Sequence, residues 1–352
     1  MPTYVYISRQ DDNQISVFTM DDGTGTLTPK AEVAVCDGPA LLTISPDRAF
    51  LYVGHRDPPG ISSWRIDHST GGLTQIGTVA TDGWSAFLGT DRTGKYVLSA
   101  YYQAGHVGVH PIGDDGAVGE PPIEWLATDI GAHAIQTDPS NQFAFVPHIA
   151  RLFDNVMEPA KDAPGPNVIF QFKFDETTGR LTPNSPLKLE VGEGLGPRYY
   201  CFHPTKDIVY FSDEQGCSVT GYHLDTTTGA LTAFQTITTL PEGYTGRNTC
   251  SQIHISPSGK FLYVPNRGHN SIAGFSVDAS DGRLTAIGHV STEAVPNAFS
   301  LDPEGKFIFA AGAASGRLAS YRINGETGEL TPLETYAVGQ RPGGVLVTSL
   351  GG

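Results

Sequence analysis

The sequence predicts an all-β protein, a seven-bladed β-propeller whose ring is closed by N- and C-terminal strands pairing in one blade. Three observations lead there. A turn phrase recurs seven times, a strand phrase precedes it at a near-constant distance, and the chain enters and leaves the repeat in mid-unit.

The turn phrase reads "TGTLTP" around Leu27, "TGGLTQ" around Leu73, "DGAVGE" around Val118 and "TGRLTP" around Leu181. It returns as "TGALTA" around Leu231, "DGRLTA" around Leu284 and "TGELTP" around Leu330, with copies 45 to 63 residues apart. Asp or Thr before Gly, followed by an apolar residue, makes a hairpin turn in which glycine supplies positive φ. The strand phrase is a turn followed by β-branched and aromatic residues, as in "SPDRAFLYV", "HPTKDIVYF" and "SPSGKFLYV". From its last residue to the opening of the turn phrase is 14 residues at Val53 to Asp67, Phe211 to Asp225 and four other places, but 29 at Val146 to Asp175.

That excess of 15 falls in the stretch 149–166, "IARLFDNVMEPAKDAPGP". Its length and apolar residues read as an inserted loop near the channel mouth, a lid or side wall of a pocket. Each unit, about 50 residues with four short strands, matches a propeller blade. The opening "TYVYIS" starts mid-unit, and "RPGGVLVTSL" near the end supplies the missing first strand. Pairing them leaves no free sheet edge. Residues 1–352 then form one propeller domain, against the two domains that length alone suggests.

Composition narrows the function. Gly 42 and Pro 25 fit a turn-rich β fold, and a net charge of −15 disfavours bulk nucleic-acid or membrane-surface binding. Cys36, Cys201, Cys217 and Cys250 form no CxxC pair. No basic segment followed by a long apolar run opens the chain, and no apolar stretch reaches about 18 residues. The expectation is a cytoplasmic protein with reduced thiols, a small-molecule ligand and no nucleic-acid or membrane partner, as a monomer or weak homo-oligomer.

First strands line a propeller's channel, so function belongs on the loops at its mouths. Equivalent positions on the inner strands are Ala40, Ala86, His133, Arg198, Ser251 and Asn297. The dipeptides closing the second strands are Arg9-Gln10, His55-Arg56, Tyr101-Tyr102, His148-Ile149, Asp213-Glu214, Asn266-Arg267 and Gly312-Ala313. Antiparallel pairing brings Arg198 and Glu214 to one rim, and the register adds His133, His148 and Arg267. His269 lies two residues beyond Arg267. Each has a plainer reading: a structural ion pair for Arg198 and Glu214, a turn cap for Arg267, a loop anchor for His148, a core histidine for His133. Tyr101 and Tyr102 read as packing and rim contacts, and His55-Arg56 as solvated. Together they read as an anion-binding acid–base cluster in an acidic chain. His133, His148 and Glu214 could converge on a metal, but neighbouring arginines would repel it, so neither metal nor cofactor is expected.

The stretches "GPRYYCFHPTKDIVYFSDE" and "SQIHISPSGKFLYVPNRGHNSI", with the repeated turn phrase, resemble the seven-bladed lactonase family over essentially the whole chain. That family includes propeller-type 6-phosphogluconolactonases and 3-carboxy-cis,cis-muconate lactonizing enzymes. The resemblance implies a metal-free catalytic site of His148, Arg198, Glu214 and Arg267. His133, Tyr101, His269, Gln252, Asn297 and His55 are the expected substrate contacts. Gln252 stands where the family often has an acid, and Pro296-Asn297 where it often has Pro-Arg. The implied chemistry is hydrolysis of a sugar or sugar-acid lactone, or interconversion of a lactone with an unsaturated carboxylate. Arginines would hold an anionic group, with Glu214 or His148 as acid–base. The other reading is a non-catalytic binding propeller.

Overall fold

In the computed structural model, which describes residues 1–149, 156 and 165–351, the elements are twenty-eight strands in seven four-stranded antiparallel sheets. No helix among these residues is long and apolar enough to cross a membrane. The chain runs from the inside of each blade outward. In the fifth blade the order is Pro197–Phe202, Ile208–Asp213, Ser218–Leu224 and Leu231–Thr238. One blade joins the termini: Pro342–Ser349 is its inner strand and pairs with Thr3–Arg9, Thr3 opposite Ser349.

The recurring phrases explain why blades stack. Gly71 in one turn phrase has φ +70°, and a Cβ there would run into the Tyr4 ring of the preceding blade. Gly25 stands in the same relation to Phe307, across the closure. Glycine is thus required twice, for conformation and for close approach. The second strands add a clasp: the Tyr6 hydroxyl donates to Gly71 O (2.8 Å), Tyr210 to Gly282 O (2.6 Å) and Tyr263 to Gly328 O (2.8 Å). Second and third strands are buried, with Val5, Tyr6 and Ile7 at or near zero exposure, while the outermost strand Leu27–Ala34 is mostly exposed. The core therefore lies between blades, leaving the axis to the inner strands and their loops.

Candidate active site

The site begins with a bulge. Pro197 pairs with Asp213 and Tyr199 with Ser212, so Arg198 is an extra residue in the inner strand. The same slip leaves Ala40, Asn297 and Gly343 unpaired in their blades. A bulge bends the strand and re-aims the inserted side chain. These inserted residues are equivalent around the ring, and Arg198, Asn297 and Gly343 line one axial cavity of about 130 Å³. Leu41, Arg56, Trp84, Ala86, His133, Tyr199, Gln252 and Arg267 complete its wall.

Glu214 lies behind this wall with zero exposure. Its Oε2 accepts from Arg198 Nε at 2.8 Å and pairs with Arg267 Nη2 at 2.7 Å. Both guanidiniums are buried, at 6% and 3% exposure. Arg267 is fixed further: Nε donates to Thr249 Oγ1 (3.0 Å), Nη2 to Cys250 O (2.8 Å) and Nη1 to Asn297 Oδ1 (3.4 Å). Its turn needs Gly268, since a Cβ there would overlap the Arg247 carbonyl. Arg198 has less support. Its Nη1 is buried without a hydrogen-bond partner among the described residues. Burial first, and then the like charge of Arg267, bring the Arg198 guanidinium down to about 10, against the pull of Glu214.

Tyr199 joins these parts. Arg198 lies 4.6 Å over its ring, His133 packs at 5.4 Å, and its hydroxyl donates to Ala86 O at 2.8 Å. Burial raises its phenol. His133 is wedged between Tyr199 and Tyr102. Above, Arg56, Trp84, Asn297 and Gly343 also line a wider vestibule with Gln10 and Arg341. Below, a cavity of about 280 Å³ continues down the axis past Tyr199 and Gln252. Gln252 Oε1 accepts the Phe299 N–H at 2.9 Å.

The structure thus brings together Arg198, Glu214, Arg267, His133, Gln252 and Asn297. It places four other expected residues elsewhere. His148 is fully buried and absent from the cavity wall. Its Nδ1 meets Val146 O at 3.0 Å, its Nε2 meets Thr128 Oγ1 at 3.1 Å, and burial pushes its imidazole down to about 4. These contacts are of an anchoring kind and lie apart from the cavity around Arg198 and Arg267. His55 is engaged by Ser62 Oγ at 2.7 Å. Tyr101 packs on Trp125 at 4.5 Å inside its blade. His269 bonds Ser271 Oγ at 2.7 Å and packs on Tyr244. None of these three reaches the cavity, because each side chain is committed to packing within or between blades.

Sequence reasoning left out Arg56, Trp84 and Tyr199 as site residues. Arg56 carried a signal: it holds the same place in its dipeptide as Glu214 and Arg267 do in theirs. Of the inserted stretch, Val156 lines the vestibule; the other residues needed to judge a lid lie outside those described. Among the described residues, no three His, Cys, Asp or Glu side chains gather as a metal-ligand group.

The family model described as "Lactonase, 7-bladed beta-propeller" matches residues 4–347. A 6-phosphogluconolactonase of Pectobacterium carotovorum subsp. carotovorum is 34% identical over 354 residues, spanning 99% of this chain and all of that relative. One from Yersinia pestis is 34% identical over 307 residues, 86% of this chain and 85% of its own. Among solved structures, a protein from Lactobacillus plantarum aligns with a TM-score of 0.85 at 26% identity, covering 99% of this chain and 100% of that one. The Pseudomonas aeruginosa periplasmic gluconolactonase PpgL aligns at 0.87 over the full length of both chains, a likeness of fold at 23% identity.

Proposed function

This chain belongs to the seven-bladed β-propeller lactonase family, and on that footing we propose that it hydrolyses a sugar-derived lactone without a metal ion. The observation that carries the reading is the pair of guanidiniums held on one buried carboxylate at the floor of an axial cavity that also presents His133.

Each group has a task. The unpartnered Arg198 Nη1 is the donor for the lactone carbonyl oxygen, which gains negative charge as water adds. Arg267, immobilised by Thr249, Cys250 and Asn297, holds the same end of the substrate. Glu214 does not line the cavity, so it is a positioning residue that fixes both arginines and offsets one of their charges. His133 is the acid–base group. It takes a proton from water as the new C–O bond forms, then returns it to the ring oxygen as the ester C–O bond breaks. The released acid ionises, so turnover appears as proton release.

The test is a proton-release assay with chelator present, using aldonolactones, their 6-phosphates and muconolactone-type acids. Rapid turnover of an aldonolactone, lost in Arg198→Met, is the expected result. Turnover of muconolactone-type acids alone replaces hydrolysis by cycloisomerisation, and dependence on added metal removes the metal-free mechanism.

A further inference from the structure

All four cysteines are free thiols, and two of them meet beside the arginine pair. Cys217 follows Glu214 by three residues, in the turn that joins Ile208–Asp213 to Ser218–Leu224. Cys250 enters the next blade, where it bridges to Asn266. Both are drawn to one point: the Glu214 carbonyl accepts the Cys250 N–H at 3.2 Å and lies 3.9 Å from the Cys217 sulfur. Across this seam between blades the Cys250 thiol hydrogen-bonds Cys217. That bond, opposed by burial and helped by the Asn248 amide and the Arg267 cation, holds the Cys217 thiol below its usual range. Cys217 keeps 8% exposure and Cys250 none. The pair therefore divides into a reactive thiol and a resolving one. The other two differ: Cys36 is exposed, and burial pushes the Cys201 thiol up.

Both positions connect to Arg267. Cys250 O accepts from Arg267 Nη2 at 2.8 Å. The Asn248 amide donates to the Cys217 sulfur at 3.3 Å, and its Oδ1 accepts the N–H groups of Gly268 (2.9 Å) and His269 (3.0 Å), in the turn that follows Arg267. A disulfide is about 2 Å long, far shorter than a contact between two thiols, so closing one draws the Cys250 main chain and the Asn248 side chain away from these partners. We propose that Cys217 and Cys250 form a redox-modification site, closed by a peroxide to a reversible disulfide that displaces Arg267 and slows turnover. The Cys217 thiolate attacks one oxygen of hydrogen peroxide and becomes a sulfenic acid, and the departing hydroxide takes a proton to leave as water. The Cys250 sulfur then attacks the sulfenic sulfur. The S–S bond forms, and the sulfenic hydroxyl leaves with the Cys250 proton as a second water. Two thiols lose two electrons and two protons, and the peroxide gains them. The disulfide rests on geometry alone, and its effect on turnover rests on the lactonase reading.

The experiment treats the full chain with hydrogen peroxide and digests it without reductant. The expected product is a peptide pair joined through Cys217 and Cys250, lighter by two hydrogens than its parts and released by dithiothreitol. No joined pair, or Cys217 carried only to sulfenic or sulfinic acid, rejects the site. Lactone turnover by the oxidised protein falls about tenfold or more, the scale of a misplaced positioning group, and dithiothreitol restores it. Cys217→Ser, whose hydroxyl still accepts from Asn248, keeps its basal turnover and no longer responds to peroxide. Cys36→Ser responds as wild type does. Full turnover by the joined protein, or an equal fall in Cys217→Ser, rejects the switch. Hydrogen exchange keeps this question separate from catalysis. The Arg267 N–H, bonded to Thr249 O at 2.9 Å, and the Cys250 N–H exchange faster in the oxidised protein even if no lactone is turned over. Unchanged exchange at both positions in the joined protein means that Arg267 has not moved, and overturns the inference.

Discussion

Asp213 and Glu214 are neighbours in the chain, both buried carboxylates, and they live in opposite surroundings. Glu214 turns to the axis and carries two guanidiniums on one oxygen. Asp213 turns into its blade, where Oδ2 accepts the hydroxyls of Ser218 (2.8 Å) and Thr220 (2.7 Å), and burial pushes its carboxyl up to about 7. The same division runs round the ring. His55, Tyr101, His148 and Asn266 are committed to packing or hydrogen bonds away from the axis. Two of their successors, Arg56 and Arg267, bring charge to the axis as Glu214 does after Asp213, while Tyr102 and Ile149 are uncharged. Burial alone does not separate the two sets. What separates them is which side of the chain each faces, as strand alternation dictates.

The sharpest way to break that division is to neutralise each carboxylate in turn. Glu214→Gln keeps the shape but removes the charge that holds Arg198 and Arg267 together. Lactone turnover is expected to fall about 10²-fold or more, because the donor facing the carbonyl oxygen loses its aim. Asp213→Asn is expected to keep turnover. Initial rates, with circular dichroism to confirm the fold, decide it. Equal losses in both variants would mean that the blade face and the axial face do one job.

The histidines sharpen the comparison on the stability side. His148→Leu removes both of its buried bonds, a cost of about 1–3 kcal/mol, while the Thr128 hydroxyl keeps its bond to Gly105 O. Urea unfolding is expected to show that loss while turnover stays near wild type. His133→Gln should do the reverse, sparing stability and removing turnover. A collapse of activity in His148→Leu would return that residue to the catalytic cluster.

The repeat made the fold readable. Seven copies of a turn phrase at near-constant register leave little choice of architecture, and the glycine in six of them proves to be the seat for the neighbouring blade's ring, with Ile208 in that place against Gly282. The site was readable as far as register goes: Arg198 opposite Glu214, with Arg267 one blade on. The phase within each dipeptide was lost, so His148, Tyr101 and His55 were expected at the rim while Arg56 was read as solvated. A strand's final residues give no local sign of whether the next turn adds half a step, and here a bulge on the partner strand decides it. Arg56 also lacked a visible partner. Trp84 comes from the loop before the next inner strand, and only the closed ring brings the two together. Asn297 stands where the resemblance suggested arginine, and Arg56 lines the same cavity from another blade.

The smallest effect is the most specific to the blade face. Asp213 holds its proton in the folded state up to about pH 7, where an exposed aspartate has lost it by about pH 4. Between those values the native state binds more protons than the unfolded chain, so this group's contribution to stability declines as pH rises through the window. It is fully present below about pH 4 and lost as pH passes about 7. Asp213→Asn has no proton to lose, so it should flatten this component. Melting temperatures of wild type and variant at steps from pH 5 to 8 would show the two curves drawing apart, with wild type losing more as pH rises. Parallel curves would mean that Asp213 ionises normally inside its blade. Two hydroxyls would then suffice to hold a buried carboxylate charged, and the contrast with Glu214 would rest on orientation alone, not on charge.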